Sequence, residues 1–137
     1  MLEIQNSKVK IQKYEMKISD YKNDLKEIKL RCYKYSVEVI KFVSSVEVGR
    51  KFQSIIDQFI RSATSIGANV VEGKSAHSKR DFIKFYEIAL KSANETKYWI
   101  CLLRDGLELK QVDSLLKEVD EISKVIATII INTKKSK

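Results

Sequence analysis

The stretch RSATSIGANVVEG, residues 61–73, crowds hydroxyls and small side chains in a way that could serve chemistry. Three kinds of site use such a composition: a loop that cradles phosphate, a serine nucleophile on a tight turn, or a helix kept thin for a close approach. A phosphate loop needs a glycine, four further residues, then Gly-Lys-Ser or Gly-Lys-Thr, because its backbone N–H groups must wrap the anion. Gly73, Lys74 and Ser75 supply the ending, but the upstream glycine position falls on Ala68 rather than Gly67. A nucleophile elbow needs a glycine two residues to each side of its serine. Ser65 has Gly67 after it but Ala63 before it. The residues support the steric reading. A mid-helix glycine costs about 1 kcal/mol against alanine, and close approach of a facing helix or a ligand offsets that at Gly67. Asn69 and Glu72 put polar tips near the end of the same helix, where they can satisfy neighbouring groups.

Other reactive side chains are sparse. His77 is the single histidine, in a loop beside Ser78, with no acid spaced to orient it. An isolated loop histidine makes a poor general base. Cys32 and Cys101 sit in apolar patterns without metal-ligand spacing. They read as reduced seam residues, a disulfide between them being the other possibility. No catalytic residue, metal site or cofactor is expected, and the chain is not expected to be an enzyme.

Charge is the stronger signal. The formal net charge is +8, which draws polyanions such as RNA, DNA or an anionic surface. Lys74, Lys79, Arg80, Lys84 and Lys91 concentrate around one loop and the helix after it. Arg80, Lys84 and Lys91 share a helix face by their spacing, and the planar fork of Arg80 can hold a phosphate through two hydrogen bonds. Arg61 lies a few turns from the same loop if the second and third helices are antiparallel. These six residues form the candidate nucleic-acid site, acting on backbone rather than base sequence. The competing reading is a solvated face on which Glu87 and Glu95 pair with Lys91. No known RNA module is present. Tyr98 and Trp99 could stack on bases, but Trp99 lies in an apolar helix and reads as core.

The elements that must position these residues are helical. The chain has 137 residues, no proline and four glycines, which suits one all-α domain better than a turn-rich β domain. A seam of Ile11, Tyr14, Ile18, Tyr21, Leu25, Ile28, Cys32, Tyr35, Val39 and Phe42 steps by three and four, the mark of a long heptad helix, here from about residue 4 to about 47. Gly49 suits a C-cap turn after it. A second helix spans about 51 to 72, with Gly73 as a left-handed stop. Ser78 and Asp81 have the spacing of a capping box for the third, which Asp105–Gly106 ends; the fourth starts near Lys110. Short connections make this an antiparallel up-down-up-down four-helix bundle with an extended first helix. Residues 1–20 form an N-terminal helical extension, 21–133 the bundle and 134–137 a basic tail. An overhanging seam is wet unless another chain covers it, so self-association through Ile11, Tyr14, Ile18 and Tyr21 is expected. There is no apolar leader and no membrane-length apolar run, so a cytoplasmic location and no membrane partner are expected.

Several separate motifs together resemble one family. RSATSIGANVVEG followed by SKRDFIKFYEIALKSANETKYWICLLRDG is similar to the bacterial four-helix bundle proteins of the 23S rRNA intervening-sequence family. The likeness rests on Arg61, Ser65, Ile66, Gly67, Ala68, Asn69, Glu72, Ser78, Lys79, Asp81 and Phe82, then Ala89, Leu90, Glu95, Thr96 and Trp99. It covers residues 25–133 and leaves the first twenty outside. The resemblance implies a bundle that assembles as a homopentamer. It also implies a relation to the accessory variability proteins of diversity-generating retroelements, which bind nucleic acid and associate with a reverse transcriptase. The expected partners are therefore other copies of the chain, RNA or DNA, and alternatively a reverse transcriptase or another neighbouring gene product, which the chain would serve as an interaction scaffold or accessory subunit.

Overall fold

The computed structural model describes residues 21–136, with side chains from residue 27. Four helices follow one another: α1 Tyr21–Ser45, α2 Gln53–Lys74, α3 Lys79–Gly106 and α4 Asp113–Lys135. Single 3₁₀ turns, Arg50–Phe52 and Lys110–Val112, lead into α2 and α4. No strand occurs among the described residues. The expected extension, and with it Ile11, Tyr14, Ile18 and the side chain of Tyr21, lies outside them.

Each helix packs on its chain neighbours, and α1 closes the ring against α4. Direction follows from the contacts. Phe42 meets Phe59 edge-on at 6.2 Å, and Gly67 lies against Cys32, so α1 and α2 are antiparallel. Ser65 bonds Ser92, and Ser62 bonds Thr96, so α2 and α3 are antiparallel. Lys97 reaches Asp120, and Glu87 meets Lys134, which gives the same sense for α3 and α4. The topology is up-down-up-down.

The apolar seams do the packing. Ile28, Cys32, Tyr35, Val39 and Phe42 of α1 are all buried, as are Ile56, Phe59, Ala63, Ile66 and Val70 of α2. α4 adds Leu115, Val119, Ile122, Ile126, Ile129 and Ile130. Each large side chain so buried contributes on the order of 1.5–3 kcal/mol. Trp99 packs against this core but is only half-buried, and its Nε1 donates to Glu95 Oε2 at 2.9 Å.

The RSATSIG stretch is the thin side of α2. Gly67 presses on α1, where an added Cβ would stand 3.2 Å from Cys32 Cβ. Hydroxyls replace apolar contacts towards α3: Thr96 Oγ1 donates to Ser62 Oγ at 3.0 Å, and Ser92 Oγ to Ser65 Oγ at 3.1 Å. Ser62 and Thr96 are buried, and such hydroxyls are costly unless paired. Asn69 bonds back to Ser65 within the helix.

Helix ends depart from expectation at the glycines. Gly73 is no left-handed stop: it is helical and buried, and α2 runs on to Lys74. Its missing side chain makes room for Tyr86, whose ring would lie 2.9 Å from an added Cβ. Gly49 is extended, at φ −60°, and begins the 3₁₀ turn rather than capping α1, which ends at Ser45. The left-handed residue after α3 is Glu108, φ 56°, two positions beyond the Asp105–Gly106 pair. Leu109 N–H donates to Leu103 O there, at 3.1 Å, which satisfies a carbonyl of the last helical turn. The cap of α3 is as expected: Ser78 Oγ accepts from Asp81 N–H at 3.1 Å.

Candidate nucleic-acid interface

The α2–α3 connection, the start of α3 and the end of α4 share one end of the bundle with the start of α1, whose residues are left out of the count that follows. Residues 70–91 and 128–136 carry seven Lys and Arg against three Asp and Glu. Helix polarity brings this about. The last turns of α2 and α4 both arrive here with basic residues, Lys74 in one and Lys134 and Lys135 in the other, as carboxyl ends of helices favour.

Lys79 is not a free cation: its Nζ donates to the backbone carbonyl of Ser136 and ties α3 to the end of α4. Lys134, read from sequence as part of a tail, belongs to α4 and meets Glu87 at 3.5 Å. Arg80 and Lys84 line an open depression on α3 together with Lys79, Ile83 and Glu87. Lys74, Arg80, Lys84, Lys91 and Lys135 are exposed and make no ion pair among the described residues. The expected pairing of Lys91 with Glu87 and Glu95 is absent, since Glu87 turns to Lys134 and Glu95 to Trp99.

Arg61 stands apart. Its neighbour Ser62 is level with Thr96, which sets Arg61 about 25 Å along the bundle from Arg80 at 1.5 Å per residue. The two helices are antiparallel as expected, but Arg61 lies too far up α2 to join the loop cluster.

The opposite end is nearly balanced in charge. Residues 38–61 and 97–118 hold eight Lys and Arg against seven Asp and Glu. Arg104 clasps Asp105 through two hydrogen bonds, and this guanidinium holds the Asp105 carboxyl below the usual range. Arg31 forks onto Glu118 at 2.8 and 2.9 Å, joining α1 to α4. Asp120, bonded first by Lys97 and then by Lys124, is likewise held low. None of these cross-helix pairs has a local sequence signal.

His77 is exposed in the α2–α3 connection. Burial pushes the Cys32 thiol up to about 12, which keeps it neutral and unreactive. Both cysteines are free thiols. No group of three or more His, Cys, Asp and Glu residues suited to a metal occurs among the described residues, and no helix there is long and apolar enough to cross a membrane.

A closed antiparallel bundle with one cationic end is the class of protein the fold and its surface define. The sequence profile of the 23S rRNA-intervening sequence proteins matches residues 24–128, and the chain belongs to that family. It is similar to a crystal structure from Bacteroides thetaiotaomicron, described as a protein of unknown function from the S23 ribosomal protein family. The two are 33% identical, with a TM-score of 0.67 over 79% of this chain and 98% of that one. No curated protein matches the chain.

Proposed function

We propose that this chain is a non-enzymatic, homo-oligomeric protein that binds the backbone of RNA or DNA through the cationic end of its bundle. The family resemblance implies five subunits. The carrying observation is the seven-to-three charge excess at that end, with Arg80 and Lys84 side by side and unpaired at its centre. Lysines and an arginine on a convex helical end meet phosphates without reading bases, and a ring of subunits repeats the patch. Neutralising four single-strand phosphates per subunit makes affinity fall roughly 50-fold between about 50 and 200 mM salt. Fluorescence anisotropy with labelled RNA and DNA strands over that range measures the slope. A flat salt profile removes this mechanism.

The second reading is a scaffold or accessory subunit for a reverse transcriptase or another neighbouring gene product. Exposed apolar side chains such as Ile40 and Tyr98 favour it. Co-purification of one protein that survives nuclease treatment supports this reading over the first.

A further inference from the structure

The open depression on α3 holds a group that a phosphate site does not call for. Three cations line it, Lys79, Arg80 and Lys84, together with the apolar Ile83 and the carboxylate of Glu87. A carboxylate in the path of a phosphate chain opposes binding through like-charge repulsion unless it meets a donor. The tie from this one to α4 is loose: Lys134 Nζ stands 3.5 Å from Glu87 Oε2, and both side chains are 55% exposed. At that separation a hydrogen bond is weak, so the carboxylate is open to a better donor.

The sequence sets the layout. Lys79, Ile83 and Glu87 follow one another at steps of four, and Arg80 and Lys84 stand beside them, so all five share one side of α3. Lys79 donates to the Ser136 carbonyl one turn before Ile83, and Glu87 meets Lys134 one turn after it. Ile83 lies between these ties, half-buried against the core. Arg80 and Glu87 are two turns apart, about 10.5 Å along the axis. The depression, about 630 Å³ in volume, therefore offers anion-holding groups at one end, an apolar surface in the middle and a hydrogen-bond acceptor at the other end. A nucleotide with an unpaired base has the matching order: phosphate, ring, then the donors of the base edge.

We propose that the depression takes one unpaired guanine of a bound strand. Its phosphate meets Arg80 and Lys84, its ring lies over Ile83, and its N1–H and 2-amino N–H donate to the two oxygens of Glu87. This rests on the nucleic-acid reading above and adds one base contact to the backbone contacts. Guanine is the base because its Watson–Crick edge carries two adjacent donors, which match a carboxylate accepting at both oxygens. Adenine and cytosine place a ring-nitrogen acceptor beside their amino donor, and uracil or thymine flanks its single N–H with two carbonyls. Each of these sets a lone pair against the carboxylate.

Fluorescence anisotropy at about 50 mM salt compares three labelled probes: a twelve-nucleotide uridine strand, the same strand with adenine at every third position, and the same with guanine there. The wild type is expected to bind the guanine-bearing strand about fivefold more tightly than either of the others. Glu87→Gln, which turns one acceptor oxygen into an amide donor, is expected to bind all three alike, and the uridine strand no more weakly than the wild type does. Circular dichroism confirms that the variant folds. Failure of the wild type to bind any probe overturns the nucleic-acid reading itself. Equal binding of all three by the wild type, or a guanine preference that survives in Glu87→Gln, overturns the guanine contact alone. So does a variant that binds all three more weakly, since Glu87 then only shapes the site.

Discussion

The end of the bundle formed by the α2–α3 connection and the end formed by the other two connections hold similar numbers of cations but different numbers of acids. At the first, seven cations face three acids, and Arg80 and Lys84 stand free. At the second, eight cations face seven acids, and Arg104 is clasped by Asp105. Exposed pairs of the second kind stabilise a fold by little, yet they cancel field. Binding a polyanion requires cations in excess of the acids around them, a condition set by the local charge balance.

The sharpest way to break this contrast is to reverse charges at each end in turn. Arg80→Glu with Lys84→Glu is expected to weaken RNA binding by at least tenfold and to flatten its salt slope by about one unit per lost phosphate contact. Arg50→Glu with Lys51→Glu, at the balanced end, is expected to change affinity less than threefold by the same electrostatic argument. Equal losses in an anisotropy titration would mean that net charge alone matters.

Packing separates the ends as well. Gly73 must stay small against Tyr86, and Gly73→Ala is expected to destabilise the fold by about 1–3 kcal/mol through overpacking. At the other end Glu108 occupies the left-handed position that glycine prefers, so Glu108→Gly is expected to stabilise by roughly 0.5–1 kcal/mol. Urea unfolding of both variants checks the opposite signs.

The smallest expected effect concerns the thiols. Cys32 ionises near 9.0 once unfolded but near 12 when buried. Its raised value contributes stability that is complete below about pH 9 and is lost as pH climbs towards 12. Between those limits the urea midpoint of the wild type should fall more steeply with pH than that of Cys32→Ala. Parallel slopes would show that the thiol is not shielded.

The helices were legible because burial repeats: every seam residue from Ile28 to Phe42 read from the heptad pattern is buried. The close approach at Gly67 was legible too, as a helix glycine with no capping role. Gly73 was not, because a stop glycine and a contact glycine look alike until the ring of Tyr86 is placed beside one of them. Thr96 and Ser62 look like breaks in an apolar pattern and are in fact buried partners. For the site, the local cluster Lys79, Arg80 and Lys84 was readable along one helix. The engagement of Lys79 by Ser136 and of Lys134 by Glu87 depends on residues 57 and 47 positions apart, and no local spacing encodes it. Arg61 was misplaced for the same reason, since only the register between α2 and α3 fixes its height.

That register has a consequence of its own. Greasy surfaces slide past each other at small cost, whereas the hydroxyl pairs Ser62–Thr96 and Ser65–Ser92 work as detents. Slipping α3 by one turn would break both pairs and drive Tyr86 off the notch at Gly73. α2 and α3 are therefore keyed to one register, by polar teeth set into an apolar face.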